Sequence, residues 1–476
     1  MLLSELVKNW PCTVLGSVGV VVKGITEHSR SVQEGYIFVA RKGACDDGLV
    51  HVEEAIDRGA VAVIIDRNIQ TGCVVTRGVT WIIVPDGQQF ISHASAKLAG
   101  NPSQSLTVIA VTGTNGKTTV THFIAQLLRL HGEKVAVIGT TGIYMDELKL
   151  HCSLPEMTTL PAEHLHPLLK DCVDAGVTHV VLEASSLGLS TYRLEHCEID
   201  IGVFLNIGVD HYDEHGSKEA YIQAKKRLTT LAKCLIVNAD DEQCVSLVSE
   251  TDKPLGYFNE HMILGRQVAS GLYPNTLPGK HNKSNAFAAV SVLTMLGYDQ
   301  FQSLSFCNRL MLPEGRLQRI SRGGLTIFVD YAHTPDALQT VLMALEEEFK
   351  DIPITTVFGC GGNRDRGKRP QMGEVAATFS SKVIITSDNP RREDPSSIIN
   401  DILRGAIFHM EKIIVEPDRL KAIRLAIDTA TDREIILIAG KGHEKTQQIG
   451  QDLYHFSDFE VANKYLEDNF FGIRTE

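Results

Sequence analysis

The segment VIAVTGTNGKTT at 108–119 constrains this chain more than any other: an apolar strand-like run enters a glycine-bearing turn and leaves as a helix-length amphipathic stretch. Strand, tight turn and helix in immediate succession specify a unit built on a parallel sheet. Glycines at 113 and 116 let backbone N–H groups close around a phosphate, and the helix start adds its partial positive charge. Lys117 supplies a point charge, and Thr118 is placed to reach a Mg²⁺ ion. The full phosphate-loop pattern GxxxxGK[ST] needs glycine at 111, where Val111 stands. The turn is therefore a variant loop, and ATP is its expected ligand.

The same alternation of β-branched runs and helical segments continues along most of the chain. At 476 residues and about 150 per domain, it predicts roughly three domains. The first holds IFVA (37–40), a helix around His51 to Arg58, VAVIID (61–66), WIIVP (81–85) and a helix ending near LAGNPS, with a boundary at Gly100-Asn101-Pro102. The second holds TVIAVTG, KVAVIGT, HVVLEAS, GVFLNIG, CLIVNAD and a helix around Ala286 to Leu296. After Gly323-Gly324, the runs LTIFVDYA, ITTVFGC, KVIITSD, KIIVEP and EIILIAG predict a five-strand doubly wound domain. The fold expectation is thus α/β in three domains: 1–103, 104–322 and 323–476. These are an N-terminal α/β domain, a central phosphate-loop ATPase domain with a mainly parallel sheet, and a C-terminal Rossmann-like domain.

A formal net charge of −12 argues against general affinity for nucleic acid or anionic membrane. The start, MLLSELVKNW, lacks a leader pattern, and no run of 18 apolar residues occurs. Ten cysteines without CxxC spacing indicate neither a disulfide framework nor structural zinc, so a reducing cytoplasm is expected.

Further segments accompany the loop in a fixed order: SRSVQEGYIFVA (29–40), Thr158-Thr159, EASS (183–186), NIGVDHYDEHG (206–216), QAKK (223–226) and GKHNKSNA (279–286). PEGR (313–316), DYAHTPDAL (330–338), GCGGNRDRGKRP (359–370), DNPR (388–391) and GKGHE (440–444) follow. TGTNGKTT by itself resembles the loop of the Mur ligases and of the folylpolyglutamate synthetases. The ordered set, spread over nearly the whole chain, resembles the tripeptide-forming MurE branch of the Mur ligases. That resemblance implies a cytoplasmic, monomeric ATP-dependent amide ligase of peptidoglycan precursor synthesis. Its substrates would be UDP-N-acetylmuramoyl-L-alanyl-D-glutamate, meso-2,6-diaminopimelate and ATP.

The chemistry agrees, because joining a carboxylate to an amine in water is uphill and needs the acid activated. Phosphorylation by ATP supplies an acyl phosphate, with metal ions spread over the charge of the transferred group. By resemblance, Gly113, Thr114, Asn115, Gly116, Lys117, Thr118 and Thr119 cradle the phosphates, and Asn282, Arg316 and Asp330 hold base, phosphate and ribose. Helix capping by Asn282 and Asn285, and a turn role for Asp330, are the plainer readings. Thr118, Glu183 and His211 are implied ligands at two Mg²⁺ sites, with Asp210 and His215 behind them. Residue chemistry does not separate Lys225 from Lys226. The resemblance assigns to Lys225 a CO₂-derived carbamate, which turns a cation into a hard oxygen ligand.

For the UDP-sugar peptide, the resemblance points to Ser29, Arg30, Thr158, Thr159, Ser185 and Arg193, with Asp47 and Gly48 in a second matching loop. Two positions depart from the family: His28 stands where aspartate is usual, and Thr191 where many relatives have glutamine. For diaminopimelate it points to Arg364, Asp388, Asn389, Pro390, Arg391, Gly440 and Glu444. Lysine-adding members lack the arginine of DNPR. An arginine there pairs with the distal carboxylate and opposes a lysine ammonium. Composition alone reads Arg364, Arg366, Lys368 and Arg369 as a solvated or anion-binding patch. A lysine-adding ligase, a folylpolyglutamate-type ligase and a non-catalytic nucleotide-binding regulator are the alternatives. The first should lack Arg391, the second both SRSVQEGYIFVA and DNPR, and the third could lack Glu183, His211 or Lys225.

Overall fold

The computed structural model describes residues 1–43, 46–66, 78–150, 154–155, 157–208, 215–268, 277–322, 324–431 and 433–470. Among the described residues, three sheets of five or more strands follow one another along the chain. In the central one, Leu255–Phe258, Ala232–Asn238, Ile199–Phe204, Thr107–Thr112, His179–Glu183 and Val135–Gly139 run parallel in that spatial order. Gly142–Met145 and Leu148–Lys149 extend it antiparallel at one edge.

Both faces of this sheet are covered, which is why its strands read as continuous apolar runs. Alternate side chains go to opposite sides. Val108 and Ala110 pack with Leu169 and Leu228, while Ile109 and Val111 pack with Phe123, Leu127 and Phe287. The helices Ala162–Asp174 and Lys218–Leu231 thus cover one face, and Lys117–Leu130 and Lys280–Met295 the other. Fully burying one such side chain contributes roughly 1.5–3 kcal/mol, so the two layers fix the ends of the strands firmly. The carboxyl ends of Thr107–Thr112, His179–Glu183 and Ile199–Phe204 lie side by side, the place where open parallel sheets form their ligand crevice.

The N-terminal sheet has the order Thr13–Leu15, Thr80–Ile83, Ala60–Ile65, Tyr36–Val39, Gly24–Thr26. Its two edge strands are three residues each, too short for periodicity to reveal. The third sheet contains the five expected parallel strands and adds Gln318–Arg322 antiparallel to Leu325–Asp330. The strand Gln318–Arg322, ahead of the expected boundary, thus pairs within the third sheet. A separate hairpin, Thr446–Ile449 with Asp452–His455, follows the GKGHE segment. No helix among the described residues is long and apolar enough to cross a membrane.

Candidate active site

The loop after Thr107–Thr112 is braced on both sides. Asn115 N–H donates to Asn206 Oδ1 (2.8 Å) and Asn206 Nδ2 donates back to Asn115 O (3.1 Å), while Thr114 N–H donates to Asn206 O (2.9 Å). Thr114 Oγ1 lies 2.8 Å from the Tyr221 hydroxyl. Gly116, at φ +88°, supplies the left-handed turn into the helix Lys117–Leu130, and a Cβ on Gly113 would stand 2.9 Å from Leu205 Cβ. Lys117 Nζ donates to Gly113 O (2.8 Å) and Thr114 O (3.0 Å), so it folds back over its own loop.

Glu183 ends its strand beside this loop and is buried. Its Oε1 accepts from Thr118 Oγ1 (3.0 Å) and Thr140 N–H (2.9 Å), and its Oε2 accepts from Thr140 Oγ1 (3.0 Å). Gly139 makes room for it, since a Cβ there would come within 2.2 Å of Oε1. Lys225 is buried on the helix Lys218–Leu231, its Nζ 4.8 Å from the Tyr221 ring centre, and it lines the same cleft. Lys226 points away, half-exposed, 3.5 Å from Glu250. The two lysines that residue chemistry leaves equivalent are thus separated by one step around the helix. His211 and Asp210 lie outside the described residues. His215 packs edge-on to Tyr221 with ring centres 5.6 Å apart. Among the described residues no three His, Cys, Asp or Glu side chains converge on a metal position. The donors that do gather, a buried carboxylate with threonine hydroxyls, are hard oxygens that fit Mg²⁺.

Beside the loop, a cavity of about 360 Å³ is lined by Asn115, Gly116, Thr119, Asn282, Arg316 and Asp330 among others. Asn282 does not cap its helix. Gly279 occupies the cap, and Asn282 Nδ2 donates instead to Pro278 O (2.8 Å). Arg316 donates to Thr118 Oγ1 (3.2 Å) and lies 4.8 Å over the Tyr331 ring, linking the phosphate loop to the loop that follows Leu325–Asp330. Asp330 uses both oxygens on backbone, accepting from Leu317 N–H (2.7 Å) and Ala332 N–H (2.8 Å). Burial pushes its carboxyl above the usual carboxylate range, against the pull of Arg316.

A second cleft, of about 440 Å³, runs from the loop past Glu183, Ser185, Arg193 and Lys225 to Arg364, His443 and Glu444. Thr158 and Thr159 line it as well. Thr159 Oγ1 donates to Glu183 O (2.8 Å), accepts from Ser185 N–H (2.9 Å) and lies 3.0 Å from Ser185 Oγ, while Arg193 donates to Thr159 O (2.7 Å). Ser29 and Arg30 lie outside this lining. Ser29 Oγ donates to Glu54 Oε2 (2.7 Å), and Arg30 is exposed on the N-terminal unit. Asp47 caps a short turn through Leu49 N–H (3.0 Å), and Thr191 Oγ1 donates to Leu187 O (2.7 Å).

A cavity of about 130 Å³ in the third unit is lined by Arg364, Asp388, Asn389, Arg391, Gly440 and Glu444, and it shares Arg364 and Glu444 with the cleft. Pro390 is not in its lining, and its carbonyl accepts from Glu393 N–H (3.0 Å). Arg391 sits at φ +53°, held by Arg391 N–H to Gln448 O (3.1 Å) and Gly450 N–H to Arg391 O (2.6 Å), with its guanidinium donating to Gly362 O (2.8 Å). The basic segment divides. Arg369 is fully buried against Glu393 (2.7 Å) and Asp401 (3.0 Å), and Arg366 pairs with Asp401 (2.9 Å), whereas Arg364 and Lys368 line the cavity. Of the patch read from composition, Arg369 is thus internal scaffold, while Arg366 stays exposed as it pairs with Asp401. Tyr331, His333, His443 and the buried Lys441 were not singled out from sequence, although each lies in DYAHTPDAL or GKGHE. Burial pushes the His443 imidazole down to about 3, so it faces the cleft neutral.

The family profile for the Mur ligase middle domain matches residues 111–261, and that for the Mur ligase glutamate ligase domain matches 315–442. The chain is 34% identical over 489 residues to the UDP-N-acetylmuramoyl-L-alanyl-D-glutamate--2,6-diaminopimelate ligase of Caldanaerobacter subterraneus subsp. tengcongensis, covering 98% of this chain and 100% of that protein. Among solved structures it is similar to a UDP-N-acetylmuramoyl-L-alanyl-D-glutamate--2,6-diaminopimelate ligase (31% identity, TM-score 0.65, 98% and 99% of the two chains). It also shares the fold of a MurF ligase from Thermotoga maritima solved with ADP (20% identity, TM-score 0.58, 94% and 98% covered).

Proposed function

This chain belongs to the Mur ligase family, and from that premise we infer that it is an ATP-dependent ligase joining meso-2,6-diaminopimelate to UDP-N-acetylmuramoyl-L-alanyl-D-glutamate. The reading rests above all on one observation: the phosphate-loop cleft and the Arg364–Arg391 cavity share Arg364 and Glu444 in their walls. A carboxylate activated at the loop and an amino acid held in the third unit can therefore meet.

In this reading the D-glutamyl carboxylate oxygen attacks the γ-phosphorus of ATP, the bond to the β-phosphate oxygen breaks, and ADP leaves. The diaminopimelate amine then attacks the acyl phosphate carbon, and phosphate departs with the bonding pair and takes up the proton that the amine nitrogen sheds as the amide forms. Lys117 and the loop N–H groups hold the phosphates in line, and Arg316 beside Thr118 offsets their charge. Thr158, Thr159, Ser185 and Arg193 orient the peptide end of the UDP-linked substrate, while Ser29 and Arg30 belong to the uridine side. Two Mg²⁺ ions would be held by Thr118, Glu183, His211 and a carbamate on Lys225. When bound, they supply charge stabilisation at the transferred phosphoryl group. Asn282 and Asp330 line the space for the nucleoside. Arg391 and Arg364 face the distal carboxylate of diaminopimelate, Asp388 and Glu444 its distal ammonium, Asn389 holds Glu444 in place through its side-chain amide, and Gly440 leaves room for the substrate. ATP and a UDP-linked substrate argue for the cytoplasm as the site of action, and we place the enzyme there as a monomer.

The test is phosphate release with UDP-N-acetylmuramoyl-L-alanyl-D-glutamate and each candidate amino acid. ADP, phosphate and tripeptide should form with meso-diaminopimelate and barely with L-lysine. Equal use of lysine, or no ATP cleavage with either, refutes the reading.

A further inference from the structure

Lys441 is the least expected side chain near the amino-acid cavity. Its residue is fully buried, and its Nζ donates to Glu444 Oε2 (2.8 Å), Asn389 Oδ1 (3.2 Å) and Thr446 O (2.7 Å). Three donors meet three acceptors, which uses the hydrogen-bonding capacity of a lysine completely. The acceptors belong to three different pieces: the DNPR loop, the GKGHE turn and the hairpin that begins at Thr446. Asn389 Nδ2 in turn donates to Glu444 Oε2 (2.8 Å), and Gln448 N–H donates to Asn389 Oδ1 (2.9 Å). The amide of Asn389 thereby has one orientation, and Glu444 Oε2 has two fixed donors.

We propose that Lys441 is a positioning residue for amino-acid selection: it anchors Glu444 by one oxygen and leaves Oε1 to meet the distal ammonium of the incoming diamino acid. The inference rests on the diaminopimelate reading above. Its physical content is preorganisation, because an unanchored glutamate must be ordered when the substrate binds, which weakens selection for the group it recognises.

The test compares wild type with Lys441→Met, and with Lys441→Gln as a second variant, on meso-diaminopimelate and on 2-aminopimelate, which lacks the distal amine. In wild type the ratio of the two kcat/KM values reports the contact with Glu444. Lys441→Met should raise KM for meso-diaminopimelate roughly 10- to 150-fold, the range for losing a hydrogen bond to a charged group. The ratio should collapse toward one, with KM for ATP and the UDP-linked substrate unchanged. In a Glu444→Gln background Lys441→Met should change the ratio little further. A folded variant of either kind that keeps the wild-type ratio overturns the proposal. So does failure of both variants to fold, which would assign the lysine to the scaffold. If wild type does not use meso-diaminopimelate at all, it is the parent reading that has failed.

Discussion

Arg391 combines a binding role with a strained backbone, and the two can be separated by comparing Arg391→Ala with Arg391→Gly. At φ +53° a residue with a Cβ bears a local cost of about 1–2 kcal/mol that glycine avoids. Glycine gives back about 0.4–1 kcal/mol through the larger entropy of its unfolded chain. The glycine variant should therefore be the more stable of the two by ~0.5–1 kcal/mol, the reverse of the usual order, and should melt about 1–4 °C higher for a unit of this size. Both variants lose the guanidinium equally. It is half-buried and donates to Gly362 O, so the loss of its pairing with a substrate carboxylate belongs near the lower end of the ~2–5 kcal/mol range for desolvated charge pairs. KM for meso-diaminopimelate should rise roughly 30- to 150-fold in both, with KM for ATP and for the UDP-linked substrate unmoved. Thermal unfolding gives the first quantity and initial-rate phosphate release the second. An alanine variant as stable as the glycine one would refute the strain argument. An unchanged KM for diaminopimelate in either would refute the role of the side chain.

Other outcomes follow from the same geometry. Lys117→Ala should nearly abolish ADP formation, and retention of more than half the wild-type turnover would remove the lysine from the phosphate site. Lys225→Ala should lose activity and regain part of it with added short carboxylates, whereas the outward-facing Lys226→Ala should stay active; the opposite pattern would exchange their roles. Removing one partner of the fully buried Arg419–Asp458 pair (2.7 Å) leaves the other charge uncompensated, so Arg419→Met should cost about 3–5 kcal/mol in urea unfolding. The double variant Arg419→Met with Asp458→Leu should recover much of that. The hydrogen bonds from Arg369 hold the Glu393 carboxyl down at about 2 in the folded state, against 4.5 ordinarily. Its contribution is thus full above about pH 4.5 and fades as the pH falls toward 2. The stability gap between wild type and Glu393→Gln should narrow across that window, and a constant gap would contradict the pairing.

The parallel core and many of the residues that line the cavities are legible in the amino-acid string. Runs such as VIAV and HVVL are apolar on both faces, which only a two-sided sheet accommodates, and TGTNGKTT, DNPR and GKGHE follow the carboxyl ends of such strands. What needed the tertiary structure was whatever depends on which groups meet across long separations. Burial tells Lys225 from Lys226, because one residue step turns a helical side chain by about 100° from cleft to solvent. Arg369 and Arg364 look alike in the string GGNRDRGKR, yet one is enclosed by Glu393 and Asp401 from a distant helix and loop while the other lines the cavity. The three-residue edge strands, the hairpin from Thr446 and the buried Nζ of Lys441 leave no periodic trace. A linear pattern records only which residues could bury or bond, not which partner the fold brings to them, whether that partner is as distant as Asn389 is from Lys441 or as near as the second strand of the hairpin.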